Sequence, residues 1–130
     1  MLKTGIKGEQ DYTIKAEDTL ESLNAGGLAV FSSSAMIKLM ESTVCKSLKE
    51  NLDKGTAIVG TSINIKHFCP TTVGTTVKCE SELTKICGNN LTLKVTVKDD
   101  FGVVGTGIFE SLVVDKQYFM MKAMLKKAAD

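Results

Sequence analysis

The chain has no tryptophan, a single proline and a single histidine, and no apolar run near the roughly 20 residues a membrane-spanning helix needs. It opens with no basic segment leading into an apolar one, so no secretory leader is expected and the cytosol is the default compartment. Charge of one sign is also lacking: 16 Lys+Arg against 15 Asp+Glu leave a formal net charge of +1. With no basic stripe or block there is no electrostatic footprint for nucleic acid, and none is expected as a partner. The four cysteines, Cys45, Cys69, Cys79 and Cys87, form no C-x-x-C pair, and one histidine does not complete an ordinary Cys/His ligand set. No metal is expected, and the thiols read as reduced, buried side chains.

What is present fits one domain spanning residues 1–130. Residues 1–16 are polar, with a weak alternation at Tyr12 and Ile14 that suits an edge strand. Glu17 to Gly27 lacks a sustained period, ends in the turn-prone Asn24-Ala25-Gly26-Gly27, and reads as a loop. A helix begins at the serine run Ser32-Ser33-Ser34, where a hydroxyl caps the first turn, and extends towards Lys54-Gly55. Its apolar stripe is Met36, Ile37, Met40, Val44, Leu48 and Leu52, with Lys38, Lys46, Lys49 and Glu50 largely off it.

Beyond Gly55 the period changes to two. Ala57, Val59, Ile63, Ile65, His67 and Cys69 fall on one face of a strand that Pro70 ends. Val77, Cys79 and Leu83 alternate with Lys78, Glu80 and Glu82, and Gly88-Asn89-Asn90 supplies a turn into Leu91, Leu93, Val95 and Val97. A last strand covers Val103 to Val114, where Gly105 and Gly107 suggest a bulge or a close backbone approach. Lys116 to Ala129 patterns as a short amphipathic helix. One strand, a loop, one long helix and four strands joined by turns predict an α+β fold. Its form is the hotdog arrangement, a curved antiparallel sheet wrapped around one central helix, with a C-terminal helix appended. The exposed edge of such a sheet suits pairing with a second copy, so a homodimer is expected, with higher assembly open.

Three side chains have the chemistry for a site. His67 shares the inward parity of Ile63 and Ile65; a lone inward histidine serves either as a packed core residue or as an acid–base group. Glu41 stands at the border of the helical stripe, where a carboxylate either finds a partner or reaches solvent. Ser33 either caps the helix or sits beside free N–H groups able to stabilise developing negative charge.

A resemblance gathers these residues together. Phe31-Ser32-Ser33-Ser34-Ala35-Met36-Ile37-Lys38-Leu39-Met40-Glu41, then Gly60-Thr61-Ser62-Ile63-Asn64-Ile65-Lys66-His67, then Thr72-Val73-Gly74-Thr75-Thr76-Val77 resemble the fluoroacetyl-CoA thioesterase-like family of hotdog proteins. The likeness continues through Cys79-Glu80-Ser81-Glu82-Leu83, Gly88-Asn89-Asn90-Leu91 and Gly105-Thr106-Gly107-Ile108-Phe109-Glu110. It implies a thioesterase acting on an acyl-CoA, with Ser33, Glu41 and His67 as the catalytic set and the Gly60 N–H as an oxyanion donor. Glu41 would hold and polarise the His67 imidazole, and either hydroxyl, carboxylate or water would attack the thioester. No cofactor is implied beyond the coenzyme A of the substrate, whose arm would enter between protomers, with Lys66 or Lys78 meeting its phosphates.

The chain departs from the family pattern in three places. Ser33 stands where threonine is usual. Leu20 to Val30 contains no aromatic residue, which removes the expected aromatic lid and with it a basis for fluoroacetate selectivity. Ser111 replaces an arginine expected after the glutamate of the last strand. These departures keep a non-catalytic acyl-CoA or acyl-group binding protein as the main alternative. A structural module and a hotdog dehydratase are the others.

Overall fold

In the computed structural model, which describes residues 1–24 and 26–128, the sequence orders five strands and two helices. These are β1 (Lys7–Thr13), α1 (Ser33–Leu48), β2 (Thr56–His67), β3 (Thr76–Cys87), β4 (Asn90–Asp99), β5 (Gly102–Asp115) and α2 (Lys116–Ala128). Ala129, assigned from the sequence to the last helix, lies outside the described residues. All neighbouring strands are antiparallel, in the order β1-β3-β4-β5-β2, so β1 and β2 are the two edges. The predicted period-two faces of β3 and β4 hold: Val77, Cys79, Leu83, Leu91, Leu93, Val95 and Val97 are buried. Their outward neighbours form surface ion pairs, Lys78 with Glu9 at 2.9 Å and Lys98 with Glu80 at 2.6 Å, which contribute little individually.

α1 starts where the serine run predicts it, with a different serine as the cap. Ser32 has extended dihedrals and its Oγ accepts the Ala35 N–H, an arrangement worth about 1 kcal/mol. Ser33 is therefore the first helical residue, and its hydroxyl is free for another partner. Phe31 and Met36, buried on either side of this cap, have the spacing of a hydrophobic staple. The α-helix stops at Leu48, short of the expected Lys54-Gly55. One 3-10 turn, Lys49–Asn51, and a turn through Asp53 and Gly55 (φ 84°) lead into β2.

The buried face of α1 is Met36, Leu39, Met40, Thr43, Val44 and Leu48, so Leu39 and Thr43 join the predicted stripe while Ile37 packs at its half-buried edge. The cause is where the helix sits. It leans towards β1, where a Cβ on Gly8 would meet Ser47 Cβ at 2.6 Å and Ser81 Oγ at 2.7 Å, an approach only glycine permits. On the other side of the sheet it covers β2 only in part, and Ile63 stays 40% exposed.

β2 is not the single-face strand expected. Gly60 pairs with Ser111 and Ser62 with Glu110, so Thr61 is an extra residue that resets the alternation. Ile58 before it and Ile65 after it, an odd number apart, both pack against the core. Gly60 to Asn64 are exposed in succession. β5 fulfils both readings of its glycines: Val104 is an extra residue opposite β4, and a Cβ on Gly105 would stand 2.7 Å from Met36 Sδ.

The thiols differ from expectation: Cys79 is buried, but Cys45, Cys69 and Cys87 are exposed, on a helix face, beyond a strand end and at a hairpin. No helix among the described residues is long and apolar enough to cross a membrane.

Candidate active site

The last residue of β2 and the first of α1 meet at one end of the sheet. Ser33 Oγ and His67 Nδ1 are 2.8 Å apart, a hydrogen bond made possible because Ser32 has taken over the cap. In the tautomer that makes the hydroxyl the donor, Nε2 carries the ring proton; that nitrogen is buried and has no hydrogen-bond partner among the described residues. The Phe31 ring lies edge-on to the imidazole, with centroids 6.2 Å apart. Ala35 N–H is taken by Ser32 Oγ and Met36 N–H by Ser32 O, leaving the Ser33 and Ser34 amides of the first turn without an acceptor among the described residues. Such amides favour negative charge.

Burial lowers the His67 pKa below its ordinary 6.5, opposed only in part by the Cys69 backbone. The ring is therefore neutral at physiological pH and able to accept a proton. A consequence for stability follows from the sign. As pH falls through 6.5 towards the lowered value, the unfolded chain takes up a proton that the folded chain refuses, so the fold loses stability there. Urea unfolding of wild type and His67→Asn between pH 7.5 and 5 is expected to show a steeper loss in the wild type. Parallel curves would place the ring in an environment equivalent to water.

Glu41 is not part of this contact. It is exposed and stands eight residues along α1 from Ser33, about 12 Å at the helical rise, and no hydrogen bond joins it to His67. The carboxylate–imidazole contact that the resemblance implies is not made within the protomer; Ser33 holds Nδ1 instead. Gly60 is more distant still. Seven residues of extended strand put it about 23 Å from His67, on the exposed edge beside the Thr61 bulge. Lys78, on β3, is paired with Glu9 of β1, and β4 and β5 lie between it and the strand of His67. Ser111, opposite Gly60, is buried.

An open cleft of about 300 Å³ lies over the Ser33–His67 pair, walled by Leu20, Val30, Phe31, Phe68, Cys69 and Pro70. Sequence reasoning pointed to the Leu20–Val30 loop but not to Phe31, Phe68, Cys69 and Pro70; the signals available were Phe31 beside the cap and Phe68 beside the one histidine. The loop that contributes Leu20 is held rather than loose. Leu20 N–H donates to Val30 O, Glu21 N–H to Leu28 O, and Thr19 and Val30 form single bridges with Phe31 and Thr72. At its base the Tyr12 hydroxyl donates to Asp18 at 2.6 Å, which pushes the Tyr12 pKa up to about 12.

Comparison with known proteins agrees with this architecture. The model of the fluoroacetyl-CoA-specific thioesterase family matches residues 14–117. The fluoroacetyl-CoA thioesterase of Streptantibioticus cattleyicolor is 30% identical, over 98% of this chain and 96% of that protein. The crystal structure of a point mutant of the fluoroacetyl-CoA-specific thioesterase superposes with a TM-score of 0.88 at 26% identity, covering 97% of this chain and 98% of that one. A complex of such a mutant with fluoroacetate and CoA gives a TM-score of 0.84 at 26% identity, over 91% and 99% of the two chains. A hot-dog-like protein from Thermanaerovibrio acidaminovorans, 21% identical over 96% of this chain and 93% of its own, shares the fold with a TM-score of 0.90. The sheet and helix predicted from the sequence are thus a hotdog fold, and the chain belongs to the fluoroacetyl-CoA-specific thioesterase family.

Proposed function

We propose that the protein is an acyl-CoA thioesterase of the cytosol that works as a homodimer, and that Ser33 and His67 are the core of its active site. The observation that carries this reading is the 2.8 Å contact between a hydroxyl and a neutral imidazole at a helix N-terminus. A base within hydrogen-bond reach of a hydroxyl is the arrangement that activates it. In the proposed reaction Ser33 Oγ attacks the thioester carbonyl, and Nδ1 takes the hydroxyl proton. The C–S bond breaks, and the imidazolium returns the proton to the departing CoA thiolate. Water, deprotonated by the same ring, then attacks the acyl carbonyl, and the imidazolium returns that proton to Ser33 Oγ as the bond to the acid breaks. The free first-turn amides face the developing oxyanion.

The remaining two residues find a place only across a dimer. β2 is an edge with unpaired backbone groups, and two copies can pair antiparallel about a two-fold axis. A register that sets the partner's Gly60 opposite His67 centres the pairing near Ile63 and Asn64. The partner's Gly60 N–H then joins the site, and Glu41 stands near the middle of the interface. With no aromatic residue from Leu20 to Val30, the cleft accepts small acyl groups without singling out fluoroacetyl.

The test is free-thiol release from a panel of short and medium acyl-CoAs, together with the mass in solution. Release from several short chains by a species of twice the chain mass is expected. No release from any substrate by a folded dimer would leave acyl-CoA binding without hydrolysis as the function.

A further inference from the structure

Among the described residues nothing buries α2. Tyr118, Met120, Met121, Met124 and Leu125 are 58, 57, 50, 61 and 60% exposed, and none of the residues of α2 is buried. A contiguous apolar surface of this kind marks a contact site. The same segment carries Lys116, Lys122, Lys126 and Lys127 and no acid. Its position is set by its first residue: Asp115 pairs with Thr56, and Lys116 N–H donates to Gly55 O at 2.9 Å. α2 therefore leaves the sheet beside the start of the edge strand.

In antiparallel self-pairing of β2, the start of each strand lies beside the end of the other. With Gly60 opposite the partner's His67, Thr56 lies about 13 Å beyond that histidine, within reach of a helix about 20 Å long. There α2 comes within reach of the loop that walls the partner's cleft. That loop presents Leu23 and Leu28, 54 and 57% exposed, and the exposed carboxylates Glu17 and Glu21. Apolar surface meets apolar surface, and lysines meet acids.

We propose that α2 of each protomer lies against this loop of the other and closes the other's Ser33–His67 cleft, forming the wall on which the acyl chain rests. The proposal builds on the thioesterase and β2-paired dimer reading and adds a segment outside it. A cleft open in one protomer becomes enclosed in the pair, and length selectivity belongs to α2.

Two measurements test it. Zero-length amine–carboxylate cross-linking of dimers mixed from 15N-labelled and unlabelled wild-type chains should join α2 lysines to Glu17 or Glu21 in hybrid-mass peptides. Only same-label peptides would put α2 on its own protomer and overturn the proposal. Second, Met121→Glu/Met124→Glu/Leu125→Glu, three exposed positions now repelled by Glu17 and Glu21, should lower turnover and flatten the preference among acyl chain lengths. Co-expressed with His67→Ala in equal amounts, it should recover about a quarter of wild-type activity. Half of the dimers are then mixed, and each has one site with both His67 and an intact α2 across from it. No recovery, or a triple variant with the wild-type chain-length profile, overturns the proposal while the dimeric thioesterase stands. A monomeric or inactive wild type instead brings down the reading beneath it.

Discussion

His67→Ala is expected to lower thiol release by roughly 10² to 10⁴-fold, the range a positioned acid–base group supplies, while the protein stays folded. The ring is only partly buried and has no partner at Nε2 among the described residues, so its loss leaves no core cavity and orphans no deeply buried group. It removes the only side-chain acceptor that Ser33 Oγ has among the described residues apart from solvent. Thermal midpoint and turnover, measured on the same sample, separate the two effects. A folded variant with wild-type turnover would take His67 out of the chemistry and leave it as a packed residue. Residual activity that rises with added imidazole would argue the opposite.

Gly105→Ala is expected to cost about 1–3 kcal/mol and several degrees of thermal midpoint, with a larger loss of turnover than the instability explains. The added Cβ would stand 2.7 Å from Met36 Sδ and 2.8 Å from Met36 Cε, atoms of a flexible side chain. It would also stand 2.8 Å from the Lys66 carbonyl, which is backbone and belongs to the residue before His67. Gly105 pairs with His67 itself, and Met36 lies one turn into α1 from Ser33. The substitution therefore pushes at both supports of a 2.8 Å hydrogen bond. Met36→Ala in the same chain relieves one contact and leaves the other, so stability should recover further than activity. Gly8→Ala provides the comparison. It crowds α1 equally at the far edge of the sheet, and its expected effect is on stability, with turnover of the folded fraction retained.

The fold was legible wherever side chains alternate against one core. β3 and β4 read correctly because Val77 to Leu83 and Leu91 to Val97 each keep a simple period, and the serine run marked the start of α1. The misreadings have physical causes. Three adjacent serines offer three caps, and only the local dihedrals choose Ser32. The Thr61 bulge is invisible to a periodicity that assumes no extra residue, so Ala57 and Val59 were put on the face of Ile65, which Ile58 takes. Leu39 and Thr43 belong to the buried stripe because α1 leans towards Gly8, a tertiary fact that helical spacing does not contain. Of the candidate site, Ser33 and His67 were nameable from the chain and are brought together. Glu41 and Gly60 were named for the same centre yet lie about 12 and 23 Å along their own elements, because a matched spacing along the chain carries no information on where those elements run in space.

The lean of α1 divides the molecule into halves with different tolerances for change. On the β1 side, packing around Gly8, Leu83 and Val95 leaves no room for a substitution that alters volume. On the β2 side, the strand from Gly60 to Asn64, the 17–30 loop and α2 expose most of their side chains. The residues proposed to select a substrate, in the loop and α2, thus lie where replacement costs the protomer little stability, away from those that hold the chain folded. A lineage built this way can exchange one acyl group for another through neutral drift, without first acquiring stabilising mutations.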